Sequence, residues 1–105
     1  MTSKHYQRQR NERERFIDEH FSDGYIVDEF VVNRGHPQGA ERHCIMNNGV
    51  IVIYNLISDK LITKLLARPQ QIRRYYENSG KKPPLEYEEI LKLAREHNIL
   101  GYNML

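Results

Sequence analysis

"RHCIMNNGVIVIYNLISDKLITKLLARPQQIRRYY", residues 42–76, decides the fold. Asn48-Gly49 between two β-rich apolar runs is a short hairpin signal, because a tight turn needs residues that tolerate positive φ. "RHCIM" and "VIVIYN" are therefore its two strands, and a turn around Ser58-Asp59 leads to a third, "LITKLLAR". Arg68-Pro69 ends that strand and opens a helix, since proline loses no hydrogen bond at a first helical position. "QQIRRYYENS" continues the helix to Gly80, a residue suited to a left-handed cap. The stretch is a three-stranded antiparallel meander followed by a helix.

Upstream, residues 3–21 read as a helix with Ser3 as a candidate N-cap and Tyr6, Phe16, Ile17, His20 and Phe21 as its few apolar or aromatic positions. Its middle, "QRQRNERER", is either a solvated helical stretch or loose until something binds. Ser22-Asp23-Gly24 ends the helix, and "YIVDEFVVNRG" follows as a strand bulged near Asp28 and Glu29. "HPQGA" is a loop. Downstream, Lys-Lys-Pro-Pro makes a stiff turn into a last helix over residues 85–97, with Ile90, Leu91, Leu93 and Ala94 as apolar positions. The expected fold is α+β in one domain, residues 1–105: an N-terminal helix, an antiparallel sheet of about four strands, and two C-terminal helices.

Composition supports a folded chain: 39% hydrophobic and 29% charged residues over 105 positions suit one small core. One cysteine, Cys44, excludes an internal disulfide and a multi-thiolate zinc site, which suits a reducing cytoplasm. No apolar run approaches the length of a membrane span, so the expectation is a soluble, cytoplasmic protein with no membrane partner. Net charge is only +2, but it is unevenly spread. Residues 16–59 carry seven Asp/Glu against Arg34 and Arg42, whereas residues 60–82 carry seven Lys/Arg against Glu77. A polyanionic partner would meet the second segment.

A two-residue loop at Asn48-Gly49 would place His43 opposite Tyr54, and a turn centred on Ser58-Asp59 would place Tyr54 opposite Thr63. The expected cross-strand row is thus His43, Tyr54, Thr63, with Ile45, Val52, Leu65 and Ala67 on the same face. The reverse face would carry Arg42, Cys44, Met46, Ile51, Ile53, Ile62, Lys64, Leu66 and Arg68. Both faces are apolar enough that pattern alone does not say which one the helices cover. The row is either a hydrogen-bonding site or a structural ladder.

Two imidazoles can divide general-base and general-acid work near neutral pH. RNA cleavage through the 2′-hydroxyl needs such a pair and a cation for the charged phosphorane, and it requires no metal or other cofactor. His36 and His43 are candidate acid and base, Arg42, Lys64 and Arg68 candidate phosphate ligands, and Thr63 and Tyr54 candidate hydrogen-bond partners. Arg73-Arg74 beside Tyr75-Tyr76 could join phosphate contacts to base stacking, although consecutive helical residues diverge by about 100° and cannot all meet one ligand. Residues His36, Glu41, His43 and Cys44 include zinc donor types, but His43 and Cys44 point to opposite faces of a strand. Cys44 beside Arg42 is either a nucleophile or, as is commoner, a buried structural thiol.

The order helix, strand, polar-tipped meander, with H-x6-H around "ERH" and the basic-aromatic "ITKLLARPQQIRRYY", resembles the small metal-independent RNases grouped as barnase, EndoU, colicin D and RelE-like, phage and toxin versions included. The resemblance covers residues 36–76. It implies cleavage of RNA, often tRNA or ribosome-bound mRNA, on the concave sheet face, with an antitoxin protein as a further partner. Carried over, His36 and His43 match the histidine positions, Thr63 the strand hydroxyl and Arg68 the basic residue near the end of the last strand; the chain has one fewer obvious strand than many members. Arg42, Tyr54, Lys64, Arg73, Arg74 and Tyr76 complete the candidate substrate contacts. The alternative is a non-enzymatic phage-type accessory protein that binds a host protein or nucleoprotein.

Overall fold

The computed structural model describes residues 4–102, with side chains from residue 10 onward. Helix α1 spans Lys4–His20; strands β1 (Ile26–Asn33), β2 (Ala40–Met46), β3 (Val50–Asn55) and β4 (Leu61–Leu66) follow; α2 (Pro69–Ser79) and α3 (Tyr87–Ile99) complete the chain. The expected α+β fold is the one observed. Ser3, the candidate cap of α1, lies outside the described residues. The polar stretch of α1 is helical through its length.

The four strands pair antiparallel in chain order, β1-β2-β3-β4, so the meander extends to the whole sheet. Both faces are covered. On one, Phe30, Ile45, Ile51 and Ile53 pack against Ile72 and Tyr76 of α2 and Ile90, Leu91 and Ala94 of α3. On the other, Cys44, Val50, Val52 and Leu66 pack against Ile17 of α1, with Phe16, Phe21 and Tyr102 around them. Two apolar faces on one sheet are the signature of a sheet buried between layers, and removing both from water supplies the main driving force for folding.

The register differs from the expected one at both turns. His43 pairs with Ile53, not Tyr54, and Ile53 in turn pairs with Thr63. The first loop holds three residues, Asn47, Asn48 and Gly49, closed by the Gly49 N–H donating to the Met46 carbonyl at 3.1 Å. Gly49 takes φ +86°, which a side chain would resist, so it forms the bulge that a three-residue loop requires. Asn47 is drawn out of the strand because its side-chain oxygen accepts the Tyr25 N–H at 2.8 Å, while the Asn48 amide donates to the Phe21 carbonyl. At the second turn the Asn55 side-chain oxygen accepts from the N–H groups of Ile57 and Ser58, centring the turn earlier than Ser58-Asp59. The two one-residue slips cancel, so His43 and Thr63 still share a row, but its middle member is Ile53. Tyr54 moves to the α1 face with Arg42, whereas Ile51 and Ile53 join the His43 face.

β1 is irregular between Ile26 and Asp28, slightly earlier than the bulge expected near Asp28 and Glu29. Val27 packs into the α2–α3 core, and Asp28 turns to the same side, where its carboxylate accepts the Tyr76 hydroxyl at 3.0 Å and an ion pair from Lys81. The last helix begins two residues later than its sequence pattern suggests and runs to Ile99.

Candidate functional site

His43 is 2% exposed, and a buried imidazole must have both nitrogens satisfied. On a strand, residues two apart share a face, so Glu41 lies beside His43 on the side that faces α2. The Glu41 carboxylate accepts from His43 Nε2 at 2.9 Å, and the same oxygen accepts from Arg34 Nε at 3.0 Å. Burial pushes the Glu41 carboxyl up, but hydrogen bonds from His43 and Arg34, with the Arg34 charge, outweigh it and hold the carboxyl below its ordinary value. An ionised carboxylate can only accept, so Nε2 carries the proton of a neutral His43 and Nδ1 is bare. Nδ1 then accepts the Tyr75 hydroxyl at 2.5 Å. Burial drives the Tyr75 phenol up to about 12, which keeps it a proton donor. The result is a polar chain, Arg34–Glu41–His43–Tyr75, running from the β1–β2 loop through the sheet to α2.

This chain stands between two cavities. One, of about 330 Å³, lies between β1 and α2 and is lined by Phe30, Val32, Arg34, His43, Arg74 and Tyr75, among others. The other, of about 360 Å³, is lined by Arg34, Gln38, Glu41, Ile53, Ile62 and Thr63. A third cavity, about 440 Å³, opens where α2 begins and is lined by Arg13, Leu65, Leu66, Arg68, Gln70, Gln71 and Arg74. No carboxylate among the described residues lines it. Arg13 is fixed there by two bonds over the edge strand, Nε to the Lys64 carbonyl at 3.1 Å and a terminal nitrogen to the Thr63 hydroxyl at 2.9 Å. Arg68 and Arg74 form no ion pair with a described residue. Three guanidinium groups at the positive end of α2 make a strongly anion-attracting concavity.

The candidate residues fall into separate groups. His43 joins the polar chain, and Arg68 and Arg74 line the basic cavity. Thr63 touches that group through Arg13. His36 lies on the exposed loop between β1 and β2, with no side-chain hydrogen bond to a described residue, and Gln38 of that loop reaches the cavity beside Glu41. Arg42 and Tyr54 lie on the opposite face, where the Arg42 guanidinium sits 4.9 Å from the Tyr54 ring centre and pairs with Asp59 at 2.5 Å. Lys64 is paired with Asp18 at 2.6 Å. Arg73 is exposed and lines none of the three cavities, whereas Tyr76 is buried against Phe30 and Tyr87. Cys44 faces α1, away from His43; burial and the Glu29 carboxylate push its thiol up, the Arg42 charge notwithstanding, so it is a poor nucleophile.

Sequence reasoning gave no catalytic or phosphate-binding part to Arg13, Arg34, Glu41 or Gln71. For Glu41 a signal existed: an acidic residue two positions from a histidine, on the inward face of an apolar strand, needs a partner there. Arg13 offered none, since its approach to β4 depends on how α1 crosses the sheet. No protein-family model, curated protein or solved structure matches the chain.

Proposed function

We propose that the protein binds RNA and cleaves it by metal-independent acid–base chemistry, holding a phosphodiester among Arg13, Arg68 and Arg74 beside the His43–Tyr75 pair. One observation carries this reading: Arg74 lines both the carboxylate-free arginine cavity and the cavity that His43 and Tyr75 enter. Phosphate and proton carrier are thereby neighbours. The 2′-oxygen attacks phosphorus and the bond to the 5′-oxygen breaks, leaving a 2′,3′-cyclic phosphate and a 5′-hydroxyl. The 2′-hydroxyl proton passes to the Tyr75 oxygen while the Tyr75 proton passes to His43 Nδ1, and Glu41 stabilises the imidazolium. His36, on the loop whose Gln38 reaches the Glu41 cavity, protonates the 5′-oxygen. The arginines stabilise the phosphorane. A tRNA or an mRNA would satisfy this chemistry equally.

The test is incubation of labelled RNA with the full chain in the presence of chelator. Cleavage to 2′,3′-cyclic ends, reduced about 100-fold or more in folded His43→Ala, supports the reading. Intact RNA, or undiminished cleavage by His43→Ala, overturns it. A second reading is favoured by one specific feature, that both His43 nitrogens are engaged internally, as in a structural histidine. The protein would then be a non-enzymatic partner of a host protein or nucleoprotein, and RNA would be bound without being cut.

A further inference from the structure

The cavity between β1 and α2 has a chemistry that the arginine cavity lacks. Its wall is aromatic and aliphatic: Phe30 and Tyr75 stack with ring centres 5.1 Å apart and planes at 24°, and Val32, two residues from Phe30 on the same face of β1, continues the apolar surface. Its rim is polar and neutral, formed by the amides of Gln71 and Asn78 and the Ser79 hydroxyl. Arg34 and Arg74 are its cations, and no carboxylate among the described residues lines it. At about 330 Å³ it falls within the range of small-ligand sites, about 300–1,000 Å³. A flat apolar wall with amide donors and acceptors at the edge matches a nucleobase: a π-face to pack and an edge to hydrogen-bond.

The relation to the arginine cavity fixes what else the ligand carries. Gln71 and Arg74 line both spaces, and Gln71, Arg74, Tyr75 and Asn78 follow the spacing of one helical face. The Gln71 side-chain oxygen is held by the Arg68 N–H at 2.7 Å, which orients its NH₂ group. We infer that the two cavities form one nucleotide site, with the base against Phe30, Val32 and Tyr75 and its 3′-phosphate among Arg13, Arg68 and Arg74. This deepens the RNA reading and rests on it for the identity of the natural ligand. The ribose bridges the two spaces, with its 2′-hydroxyl on the Tyr75 side.

Competition against a labelled single-stranded oligoribonucleotide tests the site, using adenosine 3′-monophosphate, uridine 3′-monophosphate and ribose 5-phosphate with the full chain. The nucleotides should compete about tenfold or more better than the sugar phosphate, because stacking adds to the phosphate contact. Asn78→Trp fills the cavity from an exposed helical position and should abolish that preference while leaving sugar-phosphate competition unchanged. Arg74→Glu should weaken both. Equal competition by nucleotide and sugar phosphate, or a preference that survives Asn78→Trp, overturns the base subsite while leaving RNA binding intact. Direct nucleotide binding, measured by calorimetry, without capture of the oligomer overturns the RNA reading and supports the subsite; binding of neither overturns both.

Discussion

At the residue level, Glu41 is a buried carboxylate that serves two donors. It accepts from both Arg34 and His43, so replacing it with glutamine removes the charge on which two donors depend. Glu41→Gln should cost about 1–3 kcal/mol in urea unfolding at neutral pH, the range for disturbing buried hydrogen-bonded groups. Its effect on acid stability has a definite sign. The folded carboxyl sits below its ordinary value, so the folded state binds fewer protons than the unfolded state in mild acid. The contribution is complete above the ordinary glutamate range and fades as pH falls through the lower folded value. Glu41→Gln should therefore flatten the acid limb of stability against pH, and an unchanged limb would assign that limb to other carboxylates. The E-x-H spacing made this pairing legible, because strand alternation alone brings residues 41 and 43 to one face. Tyr75 was less legible: "RRYY" offers two adjacent rings, and only packing decides that Tyr76 goes into the core with Asp28 while Tyr75 meets His43.

At the level of elements, the strands and helices followed from turn chemistry and periodicity, but the registers did not. An Asn-Asn-Gly turn admits loops of two or three residues with equal local sense, and the choice was made by Asn47 and Asn48 reaching across to Tyr25 and Phe21. Such contacts are 22 and 27 residues away along the chain, beyond any local pattern. Gly49 is the position where this turn is most vulnerable. Gly49→Ala would adopt left-handed φ at about 1–2 kcal/mol and bring its Cβ to 3.4 Å from the His97 ring, whereas Gly80→Ala meets the same backbone penalty in open space. Chemical unfolding of the two variants should show the larger loss at Gly49, and equal losses would mean that His97 gives way freely. His97 is itself a junction, 4.9 Å from the Phe21 ring and buried with Nδ1 lacking a hydrogen-bond partner among the described residues. Burial lowers its pKa, the nearby Glu96 charge only partly opposing this. Protonation accordingly favours the unfolded state: the stability is present above the ordinary histidine value of about 6.5 and is lost as pH falls below it toward the folded value. His97→Leu should remove this weakly acidic decline in melting temperature, leaving the lower-pH limb of Glu41 in place.

Across the whole molecule, helices on both sheet faces leave the α2 side and the β4 edge to carry the open cationic surface, and ion pairing sorts the basic segment into two classes. Lys64 and Lys81 are held by Asp18 and Asp28, so their charges are largely spent on joining α1 to β4 and the α2–α3 turn to β1. Arg68 and Arg74 face the solvent at the basic cavity without such partners among the described residues. The sequence's charge count could not make this distinction, because each acidic partner lies 46 or more residues away. Binding to single-stranded RNA should therefore depend on salt through Arg68 and Arg74 and not through Lys64 and Lys81. Each phosphate neutralised contributes a slope of about −0.7 to log K against log salt. Arg74→Gln should flatten the measured slope by roughly that amount, and Arg68→Gln likewise. Lys81→Gln should leave the slope unchanged while lowering stability, since it leaves the 10%-exposed Asp28 carboxylate with the Tyr76 hydroxyl as its remaining side-chain partner. A slope that responds to Lys81 as strongly as to Arg74 would show that RNA reaches the β1 edge instead, and would move the phosphate path away from the start of α2.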